Sequence, residues 1–126
     1  MKRDLFEYAI VRIVPQVERE EFINVGVILF CKPQKFLRIT YELNEARLNS
    51  FGCKPKVAEV KQYLEAFDKV CNASQDSGEI GGLPIAERFR WLTASRSTVI
   101  QCSKVHPGLC VSAEETLEEL FNTMVR

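Results

Sequence analysis

Phe22-Ile23-Asn24-Val25-Gly26-Val27-Ile28-Leu29-Phe30 is apolar almost throughout and rich in β-branched residues. Short apolar runs of this kind read as strands buried on both faces, because a half-exposed strand would alternate with polar residues. Upstream, Tyr8-Ala9-Ile10-Val11-Arg12-Ile13-Val14 reads as a second strand. Pro15 stops it, and 16–21 is a polar connection. Downstream, Lys32-Pro33-Gln34-Lys35 reads as a turn, and 36–41 alternates as a third strand. Three successive strands with short links predict an antiparallel meander.

Beyond the meander the period changes. Residues 44–51 read as a short helix, with Asn44 as its cap and Gly52 as its stop. Pro55 suits the first turn of a longer helix whose apolar residues Val57, Val60, Leu64, Phe67 and Cys71 recur at helical spacing. Residues 72–82 read as a flexible glycine-containing loop, and 84–92 as a second helix opening at Pro84. Residues 97–103 read as a fourth strand, and His106-Pro107-Gly108 as a turn. Ser112 and Glu115 form a capping-box pattern ahead of the stripe Leu117, Leu120, Phe121, Met124. The expected fold is α+β: a mainly antiparallel sheet of about four strands, a meander of three plus one, with two to three packed helices.

The chain has 126 residues, which fits one domain over 1–126. Lys+Arg and Asp+Glu are both 17. A zero balance argues against a dedicated nucleic-acid or membrane-surface binder, which carries a basic excess. No apolar run reaches the roughly 18–20 residues of a membrane span. The start, Met1 to Glu7, lacks the pattern of a signal peptide, so the expected location is cytoplasmic. Five cysteines with no C-x-x-C, an odd count, read as reduced thiols rather than a disulfide framework or a zinc ribbon. Cys102, His106 and Cys110 are zinc-ligand types at a spacing unlike common zinc sites. His106 is the lone histidine. Neither a metal nor a cofactor is expected.

Two groups of polar residues stand out. If Val14 pairs with Phe22, then Arg12 faces Asn24 and Ile10 faces Gly26. Asn24 would then share a face with Ile28 and Phe30. A glycine inside a strand signals a bulge or a close approach. An arginine there needs an acceptor, for which Glu21 or a carbonyl would serve. Arg12 and Asn24 either satisfy loop backbone or form an anion-binding floor. The second group runs from 88 to 106. Over 85–106, Arg88, Arg90, Arg96 and Lys104 stand against Glu87 alone, an excess of three. Arginines with Ser97, Thr98 and His106 suit phosphate or carboxylate recognition. Equally, they suit a solvated face balancing Glu114, Glu115, Glu118 and Glu119.

Several of these residues also carry a likeness. Tyr8-Ala9-x-Val11-Arg12-x-x-Pro15 and Glu21-Phe22-x-Asn24-Val25-Gly26-Val27 resemble the opening signature of a small bacterial family, domain of unknown function 3037 (DUF3037). Arg88-Phe89-x-Trp91-Leu92, Arg96-Ser97 and His106-Pro107-Gly108 resemble its later blocks. The label brings no activity with it. What the resemblance implies is a partner or accessory role beside a HipA-like kinase-fold protein, of toxin–antitoxin or stress type.

Three functions are carried forward. The first is a binding or accessory module for a partner protein, which requires an exposed apolar patch or a free sheet edge. The second is an enzyme or ligand-binding domain for a phosphorylated or otherwise anionic compound. There Arg12, Asn24, Arg88, Arg96 and Ser97 would bind the anion, with His106 or Glu21 as general acid–base, and these side chains must converge. The third, nucleic-acid binding through 88–106, is disfavoured by the charge balance.

Overall fold

The computed structural model describes residues 2–14, 22–50, 57–94 and 99–126. Its meander consists of β1 (Asp4–Ile13), β2 (Ile23–Cys31) and β3 (Phe36–Tyr41), paired antiparallel in turn. Lys35, with φ of 50°, turns the chain from β2 into β3. On the other edge of β1 lie β4 (Ile100–Cys102) and then β5 (His106–Cys110), both antiparallel to it. The helices are α1 (Glu45–Ser50), α2 (Val57–Cys71), α3 (Gly78–Gly81), α4 (Ile85–Thr93) and α5 (Ala113–Met124).

The apolar run of β2 is buried without a break from Val25 to Cys31, because helices cover both faces of the sheet. On one face Ala9, Val11, Ile13, Ile28 and Phe30 pack against Leu48 of α1, Val60 and Leu64 of α2 and Phe89 and Leu92 of α4. On the other, Phe6, Val27, Leu29 and Cys31 pack against Ala113, Leu117 and Phe121 of α5. The expected caps form. Asn44 Oδ1 accepts from Arg47 N–H (3.0 Å), and Ser112 Oγ accepts from Glu115 N–H (3.3 Å).

Two irregularities interrupt β1, one on each edge. Against β2, Val11 pairs with Gly26 and Arg12 with Asn24, so Val25 is an inserted residue. Arg12 therefore faces Asn24 as expected, but Ile10 faces Val27 rather than Gly26. The insertion reverses the side-chain alternation, so Asn24 lies on the α5 face while Ile28 and Phe30 lie on the other. Gly26 is also a close approach: a Cβ there would sit 2.7 Å from the Thr40 carbonyl oxygen and 2.9 Å from Tyr41 Cβ. On the opposite edge, Val11 pairs with Cys102 and Tyr8 with His106. Ala9 and Ile10 thus face the three residues 103–105. Ser103 fills the break. Its Oγ accepts from the Ile10 N–H (2.8 Å) and donates to the Lys104 carbonyl (2.9 Å), and its own N–H reaches the Ile10 carbonyl (2.8 Å).

The segment expected to turn at His106-Pro107-Gly108 is instead strand β5. An edge strand tolerates proline because one side of its backbone needs no ladder partner. Gly108 makes room for the Phe6 ring, whose Cζ would lie 2.5 Å from a Cβ at 108. Inside the 72–82 loop, residues 78–81 form the one-turn α3. Gly52, Cys53 and Pro55 lie outside the described residues.

Candidate functional site

Past the Val25 insertion, β1 and β2 present Arg12 and Asn24 side by side on the α5 face, with Gln101 on the far side of Arg12. The Arg12 guanidinium stacks on the Phe22 ring, 4.1 Å from its centroid. A flat, weakly hydrated guanidinium favours such a surface. Stacking satisfies none of its donors. Arg12 Nε is buried with no hydrogen-bond partner. Asn24 is half satisfied: Nδ2 donates to the Met124 carbonyl at the end of α5 (3.2 Å), whereas the buried Oδ1 accepts from nothing. An unsatisfied donor and an unsatisfied acceptor thus stand on facing residues. Such atoms are rare in folded proteins and each has a cost.

The other expected site residues do not gather there. His106 opposes Tyr8, their ring centroids 5.3 Å apart and tilted by 36°. Tyr8 lies four residues along β1 from Arg12, about 13 Å at strand rise. Arg88 belongs to the face that carries α2 and α4. Its Nε donates to the Leu83 carbonyl (3.0 Å) and its Nη1 to the Val70 and Cys71 carbonyls (2.9 Å each). It ties the last turn of α2 to the start of α4, meeting carbonyls that a helix end leaves open. Glu21, Arg96 and Ser97 lie outside the described residues.

At the opposite end of β1 lies a feature of another kind. Leu5 pairs with Leu109 on the α2/α4 face of the sheet, and these two side chains are 57% and 62% exposed. The helices do not extend over this corner. Val105 and Val111, flanking β5, are exposed too. Among the described residues no strand pairs with the outer edge of β5.

A family model described as a protein of unknown function, DUF3037, matches residues 8–125. The chain belongs to the DUF3037 family. No curated protein and no solved structure matches it. In this DUF3037 chain the matched span takes in both insertions flanking β1, the Arg12–Asn24 pair and the five described helices.

Two of the described thiols are pushed up, and one of these, Cys110, lies far from Cys102. Burial, reinforced by Asp68, pushes the Cys71 thiol up to about 12, so it is no nucleophile near neutral pH. Burial and the neighbouring Cys31 raise Cys110. Cys102 and Cys110 oppose Val11 and Asp4, seven residues apart on β1, or about 23 Å. Among the described residues no three His, Cys, Asp or Glu side chains stand where they could hold a metal ion. No described helix is long and apolar enough to cross a membrane.

Sequence reasoning missed two features. One is the Leu5–Leu109 pair, because it depends on β5. The other is a groove of about 490 Å³ between α2, α3 and α4, walled by Tyr63, Phe67, Ile80 and Trp91. Tyr63, Ala66, Phe67 and Val70 follow helical spacing, but that pattern alone does not separate core from groove.

Proposed function

We propose that this DUF3037 protein is a binding module that docks a partner protein on the apolar corner made by β1 and β5. The observation that carries this reading is the Leu5–Leu109 pair: two leucines opposite each other, both more than half exposed, on a strand whose outer edge is unpaired among the described residues. Contiguous exposed apolar surface of this kind marks interaction sites. Pro107 has no N–H for an added strand, so side chains rather than a ladder extension supply the contact. The scatter of Arg12, Arg88 and His106 over both faces and both ends of the sheet speaks for binding over catalysis.

The partner implied by the family resemblance is a HipA-like kinase-fold protein. Coexpression of the two from one host, followed by size-exclusion chromatography, tests the reading. The wild type is expected to elute as a complex. Leu109→Asp is expected to weaken it at least tenfold, about 1.4 kcal/mol, with an unchanged melting temperature. No complex, or a complex indifferent to Leu109→Asp, overturns the proposal.

One observation favours a second reading, a site for an anionic ligand at the other end of β1. Arg12 Nε and Asn24 Oδ1 want an acceptor and a donor respectively, and a protonated phosphate or carboxylic acid group supplies both. Thermal-shift titration with phosphorylated metabolites, in wild type and Arg12→Lys, decides it: stabilisation lost in the variant supports the site, and none in either removes it.

A further inference from the structure

The α2–α4 groove, on the face of the sheet away from α5, has a charge pattern that selects its occupant. Its volume of about 490 Å³ is that of a small-molecule site. The walls are aromatic and aliphatic, with Tyr63 and Trp91 40% and 38% exposed. Among the described residues three charged ones line it: Glu65, Lys69 and Asp76. Lys69 Nζ lies 2.8 Å from Asp76 Oδ2, so those two charges cancel. This pairing raises Lys69 and lowers Asp76, so both stay ionised. Glu65, one turn before Lys69 on α2, also acts on that ammonium, so one lysine stands between two carboxylates. The described lining residues carry one net negative charge.

We propose that this groove binds a small organic cation with an apolar body, such as an aryl- or alkyl-ammonium compound. Its body would lie along Ile80 and the rings of Tyr63 and Trp91, with its charge at Glu65. Aromatic faces attract such cations, and a carboxylate at the rim fixes the sign of the charge admitted. The site is independent of the Leu5–Leu109 corner and of the Arg12–Asn24 pair, so it stands or falls separately from both readings above.

Trp91 is the only tryptophan in the chain, which makes its fluorescence a direct reporter. Benzyltrimethylammonium is titrated against benzenesulfonate, which has the same ring and the opposite charge. The expected result is a saturable change in Trp91 emission with the cation and none with the anion. Glu65→Gln is expected to weaken the cation about fivefold, the scale of one partly exposed charge. Ala66→Lys, which puts a positive charge in the groove, is expected to abolish binding. Both positions are exposed, so melting temperatures should hold. A linear, non-saturating response, equal binding of benzenesulfonate, or an affinity unchanged in Glu65→Gln overturns the proposal. If Ala66→Lys does not fold, the Glu65→Gln comparison alone decides.

Discussion

Replacing Gly26 by alanine tests the packing argument at the centre of the sheet with a single methyl group. The new Cβ would stand 2.7 Å from the Thr40 carbonyl oxygen and 2.9 Å from Tyr41 Cβ. Neither atom can swing aside, since one is backbone and the other is fixed to it. To restore a carbon–oxygen distance of about 3.3 Å, β3 must draw back by about half an ångström. That movement strains the Gly26–Tyr41 pairing and the 2.8 Å bond from Glu42 N–H to the Val25 carbonyl. Overpacking costs about 1–3 kcal/mol and a weakened hydrogen bond about 1 more, so the expected loss is about 2–4 kcal/mol. For a chain of 126 residues, an unfolding entropy of about 2.1 cal/mol/K per residue turns this into a drop of about 8–15 °C in Tm. Gly26→Val should cost more. Calorimetry or urea denaturation followed by circular dichroism measures it. Gly82→Ala is the internal control, because the nearest atom to a Cβ there, the Glu79 carbonyl oxygen, lies 3.4 Å away. A Gly26→Ala protein within about 0.5 kcal/mol of wild type, the scale of an ordinary surface change, would refute the close approach.

Ser103→Ala leaves the buried Ile10 N–H without its acceptor, and urea denaturation should register a loss of about 1–3 kcal/mol. A neutral result would mean that the Ser103 hydroxyl is dispensable to the ladder. Arg88→Met strips the Leu83 and Cys71 carbonyls of the Arg88 donor, leaves Val70 only the Ala73 N–H, and should cost about 2 kcal/mol or more by the same assay. If stability holds while ligand affinity falls, Arg88 is a binding residue after all. The Cys71 thiol, pushed up to about 12 in the fold from 9.0, sets the alkaline behaviour. Between those values the unfolded state has lost the proton that the native state keeps, so stability falls as pH rises from about 9 to 12. Guanidinium denaturation at pH 8 and 10.5 should show a smaller drop for Cys71→Val than for wild type. Equal drops would assign the alkaline loss to other groups.

Much of the sheet could be read from the residues, for local reasons. The run from Phe22 to Phe30 is too apolar for an exposed strand, Asn44 and Ser112 are placed as caps, and Gly26 marks both the insertion and the contact with β3. Arg12 and Asn24 were identified as facing each other, and they do. The face on which Asn24 lies was misjudged, since one inserted residue reverses every later position. β5 was missed because Pro107-Gly108 is a turn signal wherever nothing opposes it. What opposes it here is the Phe6 ring, about a hundred residues away in sequence. Arg88 shows the same limit from another side. A basic residue among arginines looks like part of an anion site until the fold brings three carbonyls to it.

The paired insertions on β1 have a consequence for how the strand finds its place. A regular strand can slide by two residues and keep its buried face. β1 cannot, because sliding in either direction would carry Ile10 away from Ser103 and Val11 away from Gly26 at once. The two edges act as wards on a key: only one alignment engages both. Lengthening the chain by a residue between Ala9 and Arg12 should therefore abolish folding, whereas the same insertion in the turn at 32–35 should be accommodated.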